Sequence, residues 1–137
     1  AAIERGLSID ADPDQLFRVL LNLVRNAAQA LESLPHGSAA AMQIRITGRR
    51  EGSVAILEVS DTGPGVPAKV RQHLFEAFQS SGRPGGSGLG LAIAAELVRA
   101  HGGDIRLVEG TIGATFRISI PDRPVELQSL RKERASA

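Results

Sequence analysis

The chain has 137 residues, 42% of them hydrophobic, which suffices for one domain with a real core and is too short for two ordinary ones. Its 16 basic and 15 acidic residues are spread along the chain and leave a net charge of +1, so no long-range field gathers nucleic acid or an anionic membrane, and neither partner is expected. The absence of cysteine excludes disulfides and thiolate metal sites, no apolar run approaches a membrane span, and a reducing, aqueous compartment fits best.

Residues 7–10 read as a short strand. Asp12 then supplies an N-cap, Pro13 a first-turn proline and Gln15 a capping-box partner, so a helix starts there. Along it Leu20, Leu23, Ala27, Leu31 and Leu34 recur at helical spacing as the apolar face. Arg18, Asn22, Arg25 and Gln29 gather on the other side, with Asn26 at the margin. The loop over residues 35–38 ends the helix. Residues 42–47 and 54–60, both rich in β-branched side chains, flank a turn at Glu51 and Gly52 and predict an antiparallel hairpin. A turn at residues 61–65 leads to a short helical stretch over residues 67–78, with Val70, Leu74 and Phe75 on one face. Residues 80–87 carry no apolar side chain and read as a mobile lid. From Gly88 a second long helix turns Leu89, Ile93, Leu97 and Ala100 inward and stops at Gly102 and Gly103. A last hairpin pairs residues 105–108 with 114–120, where Phe116, Ile118 and Ile120 alternate with Thr115, Arg117 and Ser119. The polar stretch after Pro121 is expected to be a frayed tail or linker.

Three groups of residues can carry chemistry. Asn22 and Asn26 stand one helical turn apart. An asparagine carbonyl can be the single protein ligand of a magnesium ion that takes its remaining oxygens from phosphates and water, but an isolated pair of amides is more often just a solvated helix face. Asp61 follows a mostly apolar strand, where its carboxylate can accept a hydrogen bond from the exocyclic amine of adenine, an amine guanine lacks at that edge. Gly63 and Gly65 let backbone approach a ring, with Pro64 stiffening the turn, and a plain Asp-Thr-Gly turn remains the alternative. Gly86, Gly88 and Gly90 surround a helix start, where unpaired N–H groups favour phosphate and Ser87 can add a hydroxyl; a capped glycine-rich linker would look the same. Arg83, in the flexible segment, is well placed to meet terminal phosphate charge, if it is not simply solvated. His36, His73 and His101 form no catalytic set, and no nucleophile is assigned.

Together these residues resemble four ordered motifs: an N box (Asn22-Leu-Val-Arg-Asn26-Ala), a G1 box (Asp61-Thr-Gly-Pro-Gly65), an F box (Leu74-Phe-Glu-Ala-Phe78) and a G2 box (Gly86-Ser-Gly-Leu-Gly-Leu91). The chain is thereby similar to the catalytic, ATP-binding domain of bacterial sensor histidine kinases in the GHKL superfamily. Its helix motif has the flavour of the nitrogen- and oxygen-sensing kinases. The resemblance implies an α/β two-layer sandwich, the Bergerat fold, with a mixed, mostly antiparallel sheet packed against helices. It implies a domain over residues 1–122, trimmed of a strand at its start, and a tail over residues 123–137. It implies ATP and Mg²⁺ as cofactors: Asn26 as metal ligand, Asn22 beside the phosphates, Asp61 on the adenine amine, and Gly63, Gly65, Gly86, Ser87, Gly88, Leu89, Gly90 and Thr115 lining the nucleotide, with Arg83 joining Asn22 and Asn26 in catalysis. The expected partners are a dimerisation domain carrying the acceptor histidine and a response regulator. The expected location is the bacterial cytoplasm, with no membrane contact by this domain even if the parent kinase is membrane-attached.

In hydrolysing relatives such as gyrase the position of Asn22 resembles a glutamate that activates water, which an amide cannot do, so slow hydrolysis and transfer to histidine are expected. Gln29 stands where many relatives carry a lysine, and Ala114 where many carry a hydroxyl near adenine. Two alternatives remain: a degenerate nucleotide- or partner-binding module, and an ATPase or anti-sigma serine kinase of the same superfamily.

Overall fold

The apolar periodicities fold into two layers, a sheet and a pair of helices, in the computed structural model, which describes residues 2–32, 43–76, 89–108 and 112–123. In chain order these are strand β1 (Ala2–Ile3), helix α1 (Pro13–Glu32), strands β2 (Ile44–Glu51) and β3 (Val54–Asp61), a short 3-10 helix (Ala68–His73), helix α2 (Gly90–Ala100), and strands β4 (Asp104–Val108) and β5 (Ala114–Pro121). The sheet runs β1-β2-β3-β5-β4, antiparallel except where β1 meets β2. This is the mixed, mostly antiparallel sandwich that the motifs imply.

Helix α1 begins as expected: the Asp12 carboxylate accepts from the Gln15 N–H at 3.0 Å, satisfying one of the amides a helix start leaves unpaired. Its buried line is Val19, Leu23, Ala27 and Ala30, whereas Leu20 and Leu31 are only half-buried. The expected face is thus turned slightly, because α1 packs against both the sheet and α2 and its deepest line lies between them. Leu34 lies outside the described residues. In α2 the buried residues are Leu91, Ala94, Ala95 and Val98, and the expected inward set is displaced: Leu89 and Ala100 are exposed, Ile93 and Leu97 half-buried. Alanines at the contact let two helices and a sheet approach closely, which larger side chains would prevent.

Residues 7–10 form no strand. The edge strand is formed earlier, by Ala2 and Ile3 opposite Thr47 and Gly48. Leu7 and Ile9 instead pack against the core, and the Ser8 carbonyl accepts from the Arg50 guanidinium at 2.6 Å. Strand β2 extends past the expected residue 47 to Glu51, closing on β3 through a two-residue turn. The short helical stretch is 3-10 rather than α, and it delivers Val70, Leu74 and Phe75 to the core as expected, with the Phe75 ring edge-on to Phe116 at 6.1 Å. Gly102 caps α2 with φ of 73°.

Beyond Pro121 the chain is anchored for two more residues. Asp122 takes two hydrogen bonds from Arg50, at 2.9 and 3.1 Å. Arg123 reaches Asp10 through both its backbone N–H and its guanidinium. The expected polar tail therefore does not begin directly after Pro121, and residues 124–137 lie outside the described residues.

Candidate functional site

Alternation along β3 and β5 decides which side chains face the helices. Leu57 and Val59 join the core together with their β5 partners Ile118 and Phe116, and the next pair in register is Asp61 opposite Ala114. Asp61 therefore ends the buried face of β3, and it is only 3% exposed. A carboxylate so placed needs hydrogen bonds to offset its lost hydration, and the Gly63 N–H donates to Oδ1 at 2.9 Å. The turn lies directly on α1: a Cβ on Gly63 would stand 3.2 Å from the Ala30 Cβ. Ala30 is one turn beyond Asn26, so the loop after β3 and the amide-bearing stretch of α1 share one wall.

Asn22 and Asn26 are both half-buried at the margin of α1. The first residue of α2 approaches Asn22 closely, since a Cβ on Gly90 would lie 3.6 Å from its Oδ1. The N-cap of α2 is Leu89, 37% exposed, whose side chain offers no cap. The Nδ2 atom of Asn26 is buried without a hydrogen-bond partner among the described residues. An orphaned buried amide costs about 1–3 kcal/mol, so it is tolerated where a ligand completes it. Rotation about χ2 exchanges the two ends of the amide, and the buried end can present a donor to a phosphate oxygen or an acceptor to a cation. Among the described residues no three His, Asp or Glu side chains are grouped to hold a metal by themselves. That donor set suits an ion which takes most of its ligands from phosphate and water, as Mg²⁺ does.

The fold thus gathers Asn22, Asn26, Asp61, Gly63, Gly65, Leu89 and Gly90 at one end of the helix pair. Thr115 is not among them. It pairs with Ser60 and donates to the Ser60 hydroxyl at 3.0 Å, and period-2 alternation puts both on the sheet face opposite Asp61. Arg83, Gly86, Ser87 and Gly88 lie outside the described residues. Sequence reasoning missed Gly113, which the fold presses against Asp61. The one available signal was a glycine directly before a strand, and nothing local says which distant turn it touches.

The opposite end of the helices holds a groove of about 750 Å³ lined by Asp10, Asp12, His101, Asp122 and Arg123 among others. Asp10 is paired there with Arg123, and Asp122 with Arg50 outside the groove. The Arg123 guanidinium and N–H hold the Asp10 carboxyl below its ordinary value of 3.8. His101 accepts the Asp12 N–H at Nε2 (3.1 Å), while Nδ1, 2.8 Å from the Leu97 carbonyl, must donate. The ring thus ties the end of α2 to the residue that caps α1, while its other bond stays within α2.

A two-layer sandwich with helices on one sheet face, and an amide pair, a buried carboxylate and the start of α2 at one end, defines a nucleotide-binding domain of the Bergerat type. Residues 11–124 match the family described as histidine kinase-, DNA gyrase B- and HSP90-like ATPase, and the chain belongs to it. A sensory histidine kinase/phosphatase NtrB of Rhizobium leguminosarum bv. phaseoli is 39% identical over 123 residues, which covers 83% of this chain and 32% of that protein. The chain thus spans about a third of that relative's length. Among solved structures, full-length ShkA in complex with AMPPNP superposes with a TM-score of 0.70 at 35% identity, covering 88% of this chain and 24% of ShkA. The histidine kinase ThkA in complex with the response regulator protein TrrA superposes with a TM-score of 0.70 at 26% identity, covering 91% and 34% of the respective chains.

Proposed function

We propose that the chain binds Mg²⁺-ATP between α1, the loop after β3 and the start of α2, and donates the γ-phosphate to a histidine on a separate dimerisation domain in two-component signalling. The observation that carries this reading is the buried Nδ2 of Asn26, which has no hydrogen-bond partner among the described residues, on the same wall as the buried carboxylate of Asp61. Kinship with NtrB and the AMPPNP complex of ShkA support it. The ThkA–TrrA complex supports a response regulator as the further partner. No described helix is long and apolar enough to cross a membrane.

Each residue then has a role. Asp61 accepts from the adenine amine while Gly63 holds its other contact. Asn22, beside Gly90, steers the phosphates toward the amides that open α2, where the helix dipole favours negative charge. Gly65, Gly86, Ser87, Gly88 and Leu89 line the nucleotide, and Arg83 meets the terminal phosphate. Asn26 supplies the protein's oxygen to Mg²⁺, which when bound neutralises triphosphate charge. Asn22 is an amide and takes no proton from water, so the γ-phosphate is kept for an acceptor and catalysis rests on positioning. The catalytic domain then runs through Arg123, one residue past the expected boundary at 122, because that residue is tied to Asp10, and the remainder serves as a linker.

Titration with ATP, with and without Mg²⁺, tests the binding step, and supply of the dimerisation domain of the parent kinase tests transfer. Mg²⁺-strengthened binding with negligible phosphate release by the chain alone is expected. Absence of nucleotide binding would leave a degenerate module, and steady phosphate release would favour a hydrolysing member of the superfamily. Asp61→Ala should abolish the preference for adenine over guanine nucleotides; a retained preference counts against its role.

A further inference from the structure

We infer that Gly113 is a positioning residue for nucleotide selectivity: it lets the start of β5 close on Asp61 at bare-backbone distance and so fixes the carboxylate that distinguishes a 6-amino purine from a 6-oxo purine. The inference rests on the proposed role of Asp61. Gly113 has φ of 71°, in the left-handed region that L side chains rarely adopt. The three nearest heavy atoms to a Cβ built there all belong to Asp61: its carbonyl oxygen, well inside van der Waals contact, its carbonyl carbon at 2.9 Å and its Oδ1 at 3.0 Å. The carbonyl group is backbone and cannot turn aside as a flexible side chain would.

The grip is completed from Asp61's own loop. Gly65, with φ of 75°, would place a Cβ 3.0 Å from the Gly113 carbonyl oxygen, and a Cβ on Gly63 would stand 3.0 Å from Asp61 Oδ1. Gly63 thus bounds the carboxylate, while Gly65 and Gly113 interlock behind it. Because β5 begins at Ala114, directly opposite Asp61, the carboxylate cannot shift unless the whole strand start gives way. Adenine selectivity is therefore set partly by a strand connection remote in sequence from the residue that touches the base.

The test compares ATP and GTP dissociation constants, and melting temperature, for the wild-type chain and four variants: Gly113→Ala, Gly52→Ala, Asp61→Ala and Asp61→Ala with Gly113→Ala. Gly113→Ala should lower the adenine preference by about tenfold or more, the scale of a displaced hydrogen bond to a charged group. Gly52→Ala supplies the control, since Gly52 has φ of 60° and nothing within 4 Å of its Cβ: it should lower the melting temperature and leave the preference intact. In an Asp61→Ala background Gly113→Ala should cost no further selectivity, the non-additivity of residues acting through one another. A folded Gly113→Ala protein with wild-type preference overturns the inference, as does an equal loss in both backgrounds. Should Gly113→Ala fail to fold, Gly65→Ala presses on the Gly113 carbonyl from the loop after β3 and displaces Gly113 against Asp61, with the same expected loss and the same dependence on Asp61; no loss there also overturns it. A wild-type chain with no adenine preference would instead overturn the site reading itself.

Discussion

Replacing Asn26 by leucine separates the two sides of the proposed site, because the same amide that serves a ligand burdens the free protein. Its Nδ2 is buried without a partner among the described residues, and such a group costs about 1–3 kcal/mol relative to an apolar side chain of similar size. Asn26 as a whole is half-buried, so part of a leucine there would meet water and the lower end of that range applies. Asn26→Leu should therefore raise the stability of the nucleotide-free chain by about 1 kcal/mol, or about 4 °C in melting temperature for a domain of this size. With nucleotide the order should reverse. Mg²⁺-ATP at about 100 times its dissociation constant adds about 2.7 kcal/mol to a protein that binds it only when folded, and the variant should lose the Mg²⁺-dependent part of that gain. Differential scanning calorimetry of both proteins, with and without ATP and with and without Mg²⁺, measures all the quantities needed. An Asn26→Leu chain that melts lower than wild type without nucleotide, yet gains as much from Mg²⁺, refutes the reasoning on both counts.

Three further outcomes follow from the geometry. Thr115→Val removes the hydroxyl bond to Ser60 and should cost about 1 kcal/mol in denaturant unfolding while leaving ATP affinity unchanged; a large loss of affinity would return Thr115 to the nucleotide site. His101→Phe loses the one bond that ties the end of α2 to Asp12 at the start of α1, and a second bond to Leu97 within α2, and should lower stability by about 1 kcal/mol in this partly exposed position, read in urea titrations; an unchanged midpoint would show that the ring carries no net stabilisation. Asp10 has a folded-state value held below its ordinary 3.8 by Arg123, so its contribution is present above that ordinary value and is lost as pH falls through the lowered one. The difference in melting temperature between wild type and Asp10→Asn should accordingly shrink on acidification below about pH 4, and a constant difference would argue against the ion pair.

The boxes were legible because their chemistry resides in residue identity and order: a carboxylate at the end of an apolar strand, amides one turn apart, glycines before a helix. The hairpins were legible for a related reason, since strict alternation of Phe116, Ile118 and Ile120 leaves one assignment of faces. The helix faces were not. In α2 the sets Leu89, Ile93, Leu97 and Leu91, Ala94, Ala95, Val98 are both apolar at helical spacing, and only burial against α1 and the sheet selects the second. Residues 7–10 have strand-like composition, but Leu7 and Ile9 are drawn into core packing without a ladder, which local composition does not report.

Composition and order were enough to specify an amphipathic sandwich with its ligand groups in α1, after β3 and at the start of α2, because side-chain chemistry and periodicity are properties of short stretches. Register and packing placed those groups. Pairing of Asp61 with Ala114 brings Gly113 onto the carboxylate, carries Thr115 to the far face and sets the whole cluster against Ala30. Contacts between stretches remote in sequence arise from how the layers close on one another, and no single stretch encodes that closure.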